Sequence, residues 1–307
     1  MRSTQNSRAE LILRVQSSLT DRDYVLLEWL YDHGLLTTPQ INAALFGSRR
    51  FCQRRLLTLT RHRAITRFRP FKLDGGTYPY YYLIDQLGAD LIAAQRGENM
   101  PRPDAARQRR IHLTSRANLP HLLGVNQFFI DLAAHARTHP PAQLRQWWPA
   151  SRFRDRAWVL DFTGDRGAVL RETPLPDGYG LWAQDGTVVA FFLEFDRGTE
   201  TLGVLAGKVR RYASLEYEVP VLFLLPSAER ELNLHIALSQ RLPNLTAMVA
   251  TTAQDILTHC APGPAGPVWW LHGHQGPRLR LADLPPSPEH LTHLSAVSRT
   301  TATTQRA

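Results

Sequence analysis

The run Thr187-Val188-Val189-Ala190-Phe191-Phe192-Leu193-Glu194-Phe195-Asp196 constrains the fold of this chain more than any other segment. It is apolar enough to read as a strand buried within a sheet. Yet it carries two acids near its end. Burying a carboxylate is costly unless it is paired or bound to a metal. The two-residue repeat of a strand places Glu194 and Asp196 on one face. Asp177, in Leu175-Pro176-Asp177-Gly178, precedes Glu194 by seventeen residues. Three acids around a strand end suit a hard divalent cation, Mg²⁺ or Mn²⁺. The competing reading pairs Asp196 with Arg197 and makes Asp177 the start of a Pro-Asp-Gly turn.

The 307 residues are enough for one large or two ordinary domains, and an apolar fraction of 43% supplies a core. No apolar run approaches the roughly 20 residues needed to cross a bilayer. Met1 to Arg14 lack the apolar stretch of a secretory signal. The two cysteines, Cys52 and Cys260, support neither a disulfide framework nor a cysteine zinc site. The expected location is the cytoplasm, without a membrane partner. The net charge of +9 is unevenly spread. Residues 1–116 hold 18 Arg and one Lys against 10 acids, whereas the remainder balances. That split marks the first third as the module that meets a polyanion.

The first third has the pattern of a winged helix, expected over residues 15–97. Thr20-Asp21-Arg22-Asp23 resembles a capping box ahead of an amphipathic helix that stops near Gly34. Thr38, followed by Pro39, is read as the cap of a second helix. In a third helix, Cys52, Leu56 and Leu59 share a stripe, with Arg50, Gln53, Arg54 and Arg61 away from it and Arg49 and Arg55 on its basic flank. Two strands around Asp74-Gly75-Gly76 form a hairpin. The third helix would enter a major groove of double-stranded DNA while Arg67, Arg69 and Lys72 touch phosphates. The alternative is a solvated face. Residues 98–116 lack apolar periodicity and read as a linker.

Residues 117–284 alternate helices and strands, which implies a mixed sheet with helical cover. Leu119 to Ala136 is helical, with His121 and Asn126 conspicuous on it. His121 is read either as a satisfied core histidine or as a group aimed at the carboxylates. Short strands are expected at Trp158 to Phe162 and Tyr179 to Ala183. Gly198 or Thr199 is expected to cap a helix that carries Lys208, and Ser227 to cap another. A late strand is expected over Leu245 to Thr251. His272 and His274 stand far in sequence from the acids. Residues 285–307 are Pro, Ser, Thr and His rich and read as a disordered tail.

Several stretches together resemble the replication-relaxation family of actinobacterial plasmids and mobile elements. They are Leu19 to Asp23, Leu36 to Ile41, Tyr80 to Leu83, His121 with Asn126, Leu175 to Gly178 and Phe191 to Thr199. The resemblance covers about residues 15–285. It implies a DNA-associated protein tied to plasmid replication, relaxation or transfer. The second domain is more distantly similar to the PD-(D/E)xK nuclease fold, so the expected class is α+β: a winged helix-turn-helix followed by a restriction-endonuclease-like mixed sheet. In that pattern Asp177 and Glu194 are metal ligands, while Asp196 occupies the lysine position. Lys208 or Arg197, from beyond the strand, would replace the lysine. Two readings of that domain follow: a Mg²⁺-dependent endonuclease or nickase, and a regulatory or interaction protein with a catalytically dead nuclease fold. The sequence leaves a homodimer open.

Overall fold

The computed structural model describes residues 10–71, 75–114, 119–154, 174–214 and 219–286. Lys72, the strand expected at 158–162 and most of the expected tail lie outside them. The chain is a mixed α+β protein that divides into two compact units at Ile130/Asp131.

The first unit is built on helix ends with strong local signals. Helix α1, Asp21–His33, starts at the capping box: the Thr20 backbone N–H and hydroxyl both donate to Asp23, at 2.8 and 2.6 Å. Strand β1, Leu35–Thr37, leads into helix α2, Thr38–Ile41, which a π-turn extends to Phe46. The cap of α2 is Thr37, one residue earlier than the Thr38 that sequence suggested. Gln40 decides this, because its side chain returns to the Thr37 N–H at 2.8 Å while Thr37 Oγ1 accepts from the Gln40 N–H. Helix α3, Arg49–Arg61, buries Cys52, Leu56 and Leu59 as expected. Strands β2, Ile65–Phe68, and β3, Tyr81–Ile84, complete an antiparallel sheet in the order β1-β3-β2.

Helix α4, Gln86–Arg96, follows the sheet, capped by Asp85. The stretch read as a linker contains helix α5, Ala105–Thr114. Its core-facing residues, Ala106 and Leu113, stand two turns apart, too sparse a stripe to show as periodicity. Leu113 packs with Leu35, Tyr81 and Leu83. Helix α6, Leu119–Thr138, carries Asn126, which is 1% exposed. Its amide donates to the His33 and Leu35 carbonyls at 3.2 and 2.8 Å, so it closes the chain end of α1.

The second unit holds a six-stranded mixed sheet in sequential order. Its strands are β4, Gln143–Pro149; β5, Gly178–Gln184; β6, Thr187–Phe195; β7, Val221–Leu225; β8, Val249–Ala253; and β9, Trp270–Leu271. The first three run antiparallel, β6, β7 and β8 run parallel, and β9 reverses again. Parallel neighbours need crossovers. These are helix α7, Leu202–Ala213, and helix α8, Ala228–Arg241. Both cover one face, where Leu205, Val209, Tyr212, Leu234 and Leu238 meet Phe192, Phe223 and Leu225. Ser227 caps α8 as expected, whereas α7 is capped by Thr201 rather than Gly198 or Thr199. Gly198 instead takes φ 78°, a left-handed conformation that glycine adopts without strain. The late strand begins at Val249, after Leu245 to Met248.

One ion pair ties the first unit together. Arg55, on α3, donates from Nε to Asp23 Oδ1 at 2.9 Å and from a terminal nitrogen to Oδ2 at 2.5 Å, and it also reaches the Ser18 carbonyl. Asp23 is 1% exposed. Burial opposes its charge, yet Arg55 and Thr20 outweigh burial and hold the carboxyl below its ordinary value. Arg55→Ala leaves that charge buried without its partner. It should cost about 3 kcal/mol, the low end of the range for a broken buried pair because Arg55 is itself partly exposed. Urea denaturation of wild type and variant measures this.

Candidate functional site

The acids of β6 occupy the end of the strand that faces α7 and α8. Glu194 is 3% exposed. Its Oε2 accepts from Lys208 Nζ at 3.0 Å and its Oε1 from the Tyr212 hydroxyl at 2.7 Å, both from α7. Lys208 and Tyr212 lie four residues apart, one turn of helix, so one face of α7 grips one carboxylate. Lys208 also reaches Glu200 at 2.9 Å. Asp177 sits just before β5. Its Oδ2 accepts from the Phe195 N–H at 2.9 Å, and its own N–H donates to the Leu193 carbonyl at 3.0 Å. Asp177 is thereby pinned beside Glu194 across the strand pair.

This packing sets the electrostatics. Burial first, and then the charge of Asp177, pushes Glu194 up to about 7, against the pull of Lys208 and Tyr212. Burial also works against the Lys208 charge, but Glu194 and Glu200 outweigh it and hold the ammonium above its ordinary value. The Tyr212 phenol is raised by burial and by Glu194. The result is a buried acid that holds its proton unusually well, beside a cation that does not give its own up.

Asp196 leaves the expected three-acid set. It shares the Glu194 face, but its Oδ2 accepts from Arg230 Nε on α8 and its Oδ1 from the Gly198 N–H at 2.9 Å. Arg230 donates further to the Glu200 carbonyl at 2.5 Å. The partner of Asp196 is therefore Arg230, thirty-four residues on, and not Arg197. Among the described residues no group of three His, Cys, Asp or Glu is placed to hold a metal ion. What remains is the pair Asp177 and Glu194 with Lys208. Magnesium binds through one or two carboxylates, several waters and a substrate phosphate, so the pair is compatible with it. His121 lies on α6 in the first unit, half-buried. The sequence did not single out Tyr212, which is buried in the core, or Arg230 as partners of the acids. Only the spacing Lys208–Tyr212 carried a signal.

In the first unit, Arg49, Arg50, Gln53, Arg54 and Arg61 are exposed on α3, and among the described residues none of these arginines is ion-paired. The guanidinium of Arg54 lies 5.3 Å from the centroid of the exposed Phe51 ring. Arg55 differs: it is committed to Asp23. Arg67 and Arg69 stack on Tyr80, at 4.1 and 3.9 Å from its ring centre.

His272 takes part in a hydrogen-bonded chain apart from the acids of β6. Glu231, fully buried, is gripped by Arg278 at 2.9 and 2.6 Å. Thr251 gives its single hydroxyl proton to Glu231 at 2.7 Å. His235 therefore donates to Thr251 from Nε2, also at 2.7 Å, and its Nδ1 accepts from His272 Nδ1 at 3.0 Å. Burial first, then His272 and Arg278, lowers His235 to about 4, which keeps this chain uncharged at the imidazoles. It stitches α8, β8 and the segment after β9 together.

Fold and site together define a two-unit protein: a basic helical module with a small antiparallel sheet, and an α/β module with an acid pair and a lysine at the centre of its sheet. Residues 27–218 match the replication-relaxation family, from α1 to the end of α7, and the chain belongs to that family. No curated protein and no solved structure matches it. No helix among the described residues is long and apolar enough to cross a membrane.

The raised Glu194 gives a pH dependence with a definite sign. The folded state holds this proton up to about 7, whereas the unfolded chain releases it near 4.5. Glu194 therefore contributes most below the unfolded value and loses that contribution as pH rises from 4.5 to 7. Denaturation in EDTA across this window should show wild type losing stability relative to Glu194→Gln as pH rises. A constant difference would contradict the assignment.

Proposed function

We propose that the chain is a DNA-binding protein acting in plasmid or mobile-element replication, relaxation or transfer, with the first unit supplying the affinity. The observation that carries this is α3: a helix without an acid, buried on its Cys52-Leu56-Leu59 side and presenting Arg49, Arg50, Gln53, Arg54 and Arg61 on the other. Three helices followed by a hairpin give the order of a winged helix-turn-helix. In such a fold α3 lies in the major groove of duplex DNA while Arg67 and Arg69 meet phosphates. Family membership supports the cellular setting.

A second reading has its own observation, the grouping of Asp177, Glu194 and Lys208. A helix, three antiparallel strands, a crossover helix and a parallel fourth strand follow one another as in the PD-(D/E)xK nucleases, with the lysine supplied from α7. Asp177 and Glu194 would hold Mg²⁺ or Mn²⁺. When bound, the ion supplies Lewis acidity and a water of lowered pKa for phosphodiester hydrolysis. Lys208 would face the developing phosphate charge. The alternative within this fold is a domain that keeps the acids as structural ion pairs and does not cut.

Two experiments separate these readings. Titration of the full chain on duplex DNA should show log K falling with log salt, by about 0.9 per phosphate contact. Arg50→Ala with Arg54→Ala should flatten that slope by about 2 without unfolding the protein, since both side chains are exposed. Absence of binding at low salt contradicts the proposal. For the second reading, supercoiled plasmid is incubated with protein and Mg²⁺ or Mn²⁺. The enzyme reading expects nicking that Asp177→Asn and Glu194→Gln each abolish and that Lys208→Ala lowers about 100-fold. Intact plasmid with wild type leaves the DNA-binding role with an inactive nuclease fold.

A further inference from the structure

The hairpin of the first unit carries a feature that phosphate contact alone does not require. Arg69 is followed by Pro70 and Tyr78 by Pro79. A proline holds the residue before it in extended backbone, so Arg69 and Tyr78 carry the two limbs on past their hydrogen-bonded ends. The ladder pairs Arg67 with Tyr82 and Phe68 with Tyr81. Arg67 and Arg69 share a face with Tyr80, on whose ring both stack, and Phe71 and Tyr78 follow further out along the two limbs. The opposite face, with Phe68 and Tyr81, belongs to the core.

The exposed face is ordered from inside to outside. Tyr80 is half-buried and is the ring on which both guanidiniums stack. Beyond it, Tyr78 is 41% exposed and Phe71 85% exposed, the latter the most exposed large apolar side chain among the described residues. Solvating a bare phenyl ring is unfavourable. Two residues before it along the limb is Arg69, which with Arg67 is held in place by an aromatic ring. Cations for phosphate next to a protruding aromatic for bases is the pairing of chemistries that nucleic acid offers in return.

We propose that this hairpin is a wedge: Arg67 and Arg69 hold the backbone of duplex DNA, and Phe71 with Tyr78 enters a base step and unstacks it. This rests on the DNA-binding reading and deepens it, since it assigns the protein a local opening or kinking of the duplex it binds. The step is non-covalent. Flexible pyrimidine–purine steps such as TA are the cheapest to open and are the expected targets.

The test uses the full chain and a TA-containing duplex of about 30 base pairs, long enough for a groove-bound helix and an adjacent wing. Permanganate oxidises unstacked thymines and reads opening, while anisotropy of the same duplex reads binding. Wild type at saturation should make thymines reactive. Phe71→Ala with Tyr78→Ala should abolish that reactivity but weaken binding by less than about tenfold, because stacking gained and base stacking lost largely offset each other. Phe71→Trp with Tyr78 kept should retain the reactivity. Both alanine sites are exposed, so the fold is not at stake. Binding by wild type without reactive thymines, or reactivity that survives the double variant, overturns the wedge and leaves DNA binding standing. No binding at low salt overturns both.

Discussion

The structure depends on carboxylates that have been taken out of water and given one cation each from a different element. Asp23 is paired with Arg55, Glu194 with Lys208, Asp196 with Arg230 and Glu231 with Arg278. All four acids are nearly or fully buried. Removing either partner of the Asp23, Asp196 or Glu231 pair leaves a charge where it is costly, and Glu194, which holds its proton up to about 7, is kept in place by Lys208 and Tyr212. Each contact welds two segments that the chain connects only at a distance. Asp23 and Arg55 join α1 to α3. Glu194 and Asp196 join the end of β6 to α7 and α8. Glu231 and Arg278 join α8 to the segment after β9.

That pairing also sorts the arginines by task. A chain with 34 arginines has many that could meet DNA. Those held by buried acids are occupied, as Arg55 shows: it lies on the same helix as Arg50 and Arg54, yet faces Asp23. The arginines left exposed on α3 and the two that lean on Tyr80 are among those with charge to offer a polyanion. The acid pair Asp177 and Glu194 sits in the other unit, where the net charge of the sequence is balanced. On the proposed reading, affinity and any phosphodiester chemistry reside in different parts of the chain.

Much of this was legible in the sequence because it is local. The Thr20–Asp23 cap, the buried stripe of α3 and the β6 run all rest on spacings of two to four residues. Glu194 and Asp196 announced themselves because an apolar strand has no other reason to hold acids. Their partners were not legible. Arg230 meets Asp196 across thirty-four residues, and nothing in its sequence surroundings distinguishes it from Arg241 on the same helix or Arg210 on α7. Arg197, adjacent in sequence, was the competing partner, but it is exposed while Arg230 reaches Asp196 from α8. Helix α5 escaped notice because two buried residues, Ala106 and Leu113, are too few to make a period. Asn126 was conspicuous, but that it satisfies the carbonyls of His33 and Leu35 depends on where the chain returns.

The central claim is that duplex DNA is met by α3 and the hairpin limbs of the first unit. Hydrogen–deuterium exchange of the full chain, with and without duplex DNA at low salt, tests it most directly, because exchange reports protection segment by segment. The account predicts slowed exchange in residues 49–61 and in the hairpin limbs 65–71 and 77–84, with residues 249–286 unchanged. Protection confined to the second unit, with α3 exchanging as in the free protein, would contradict it.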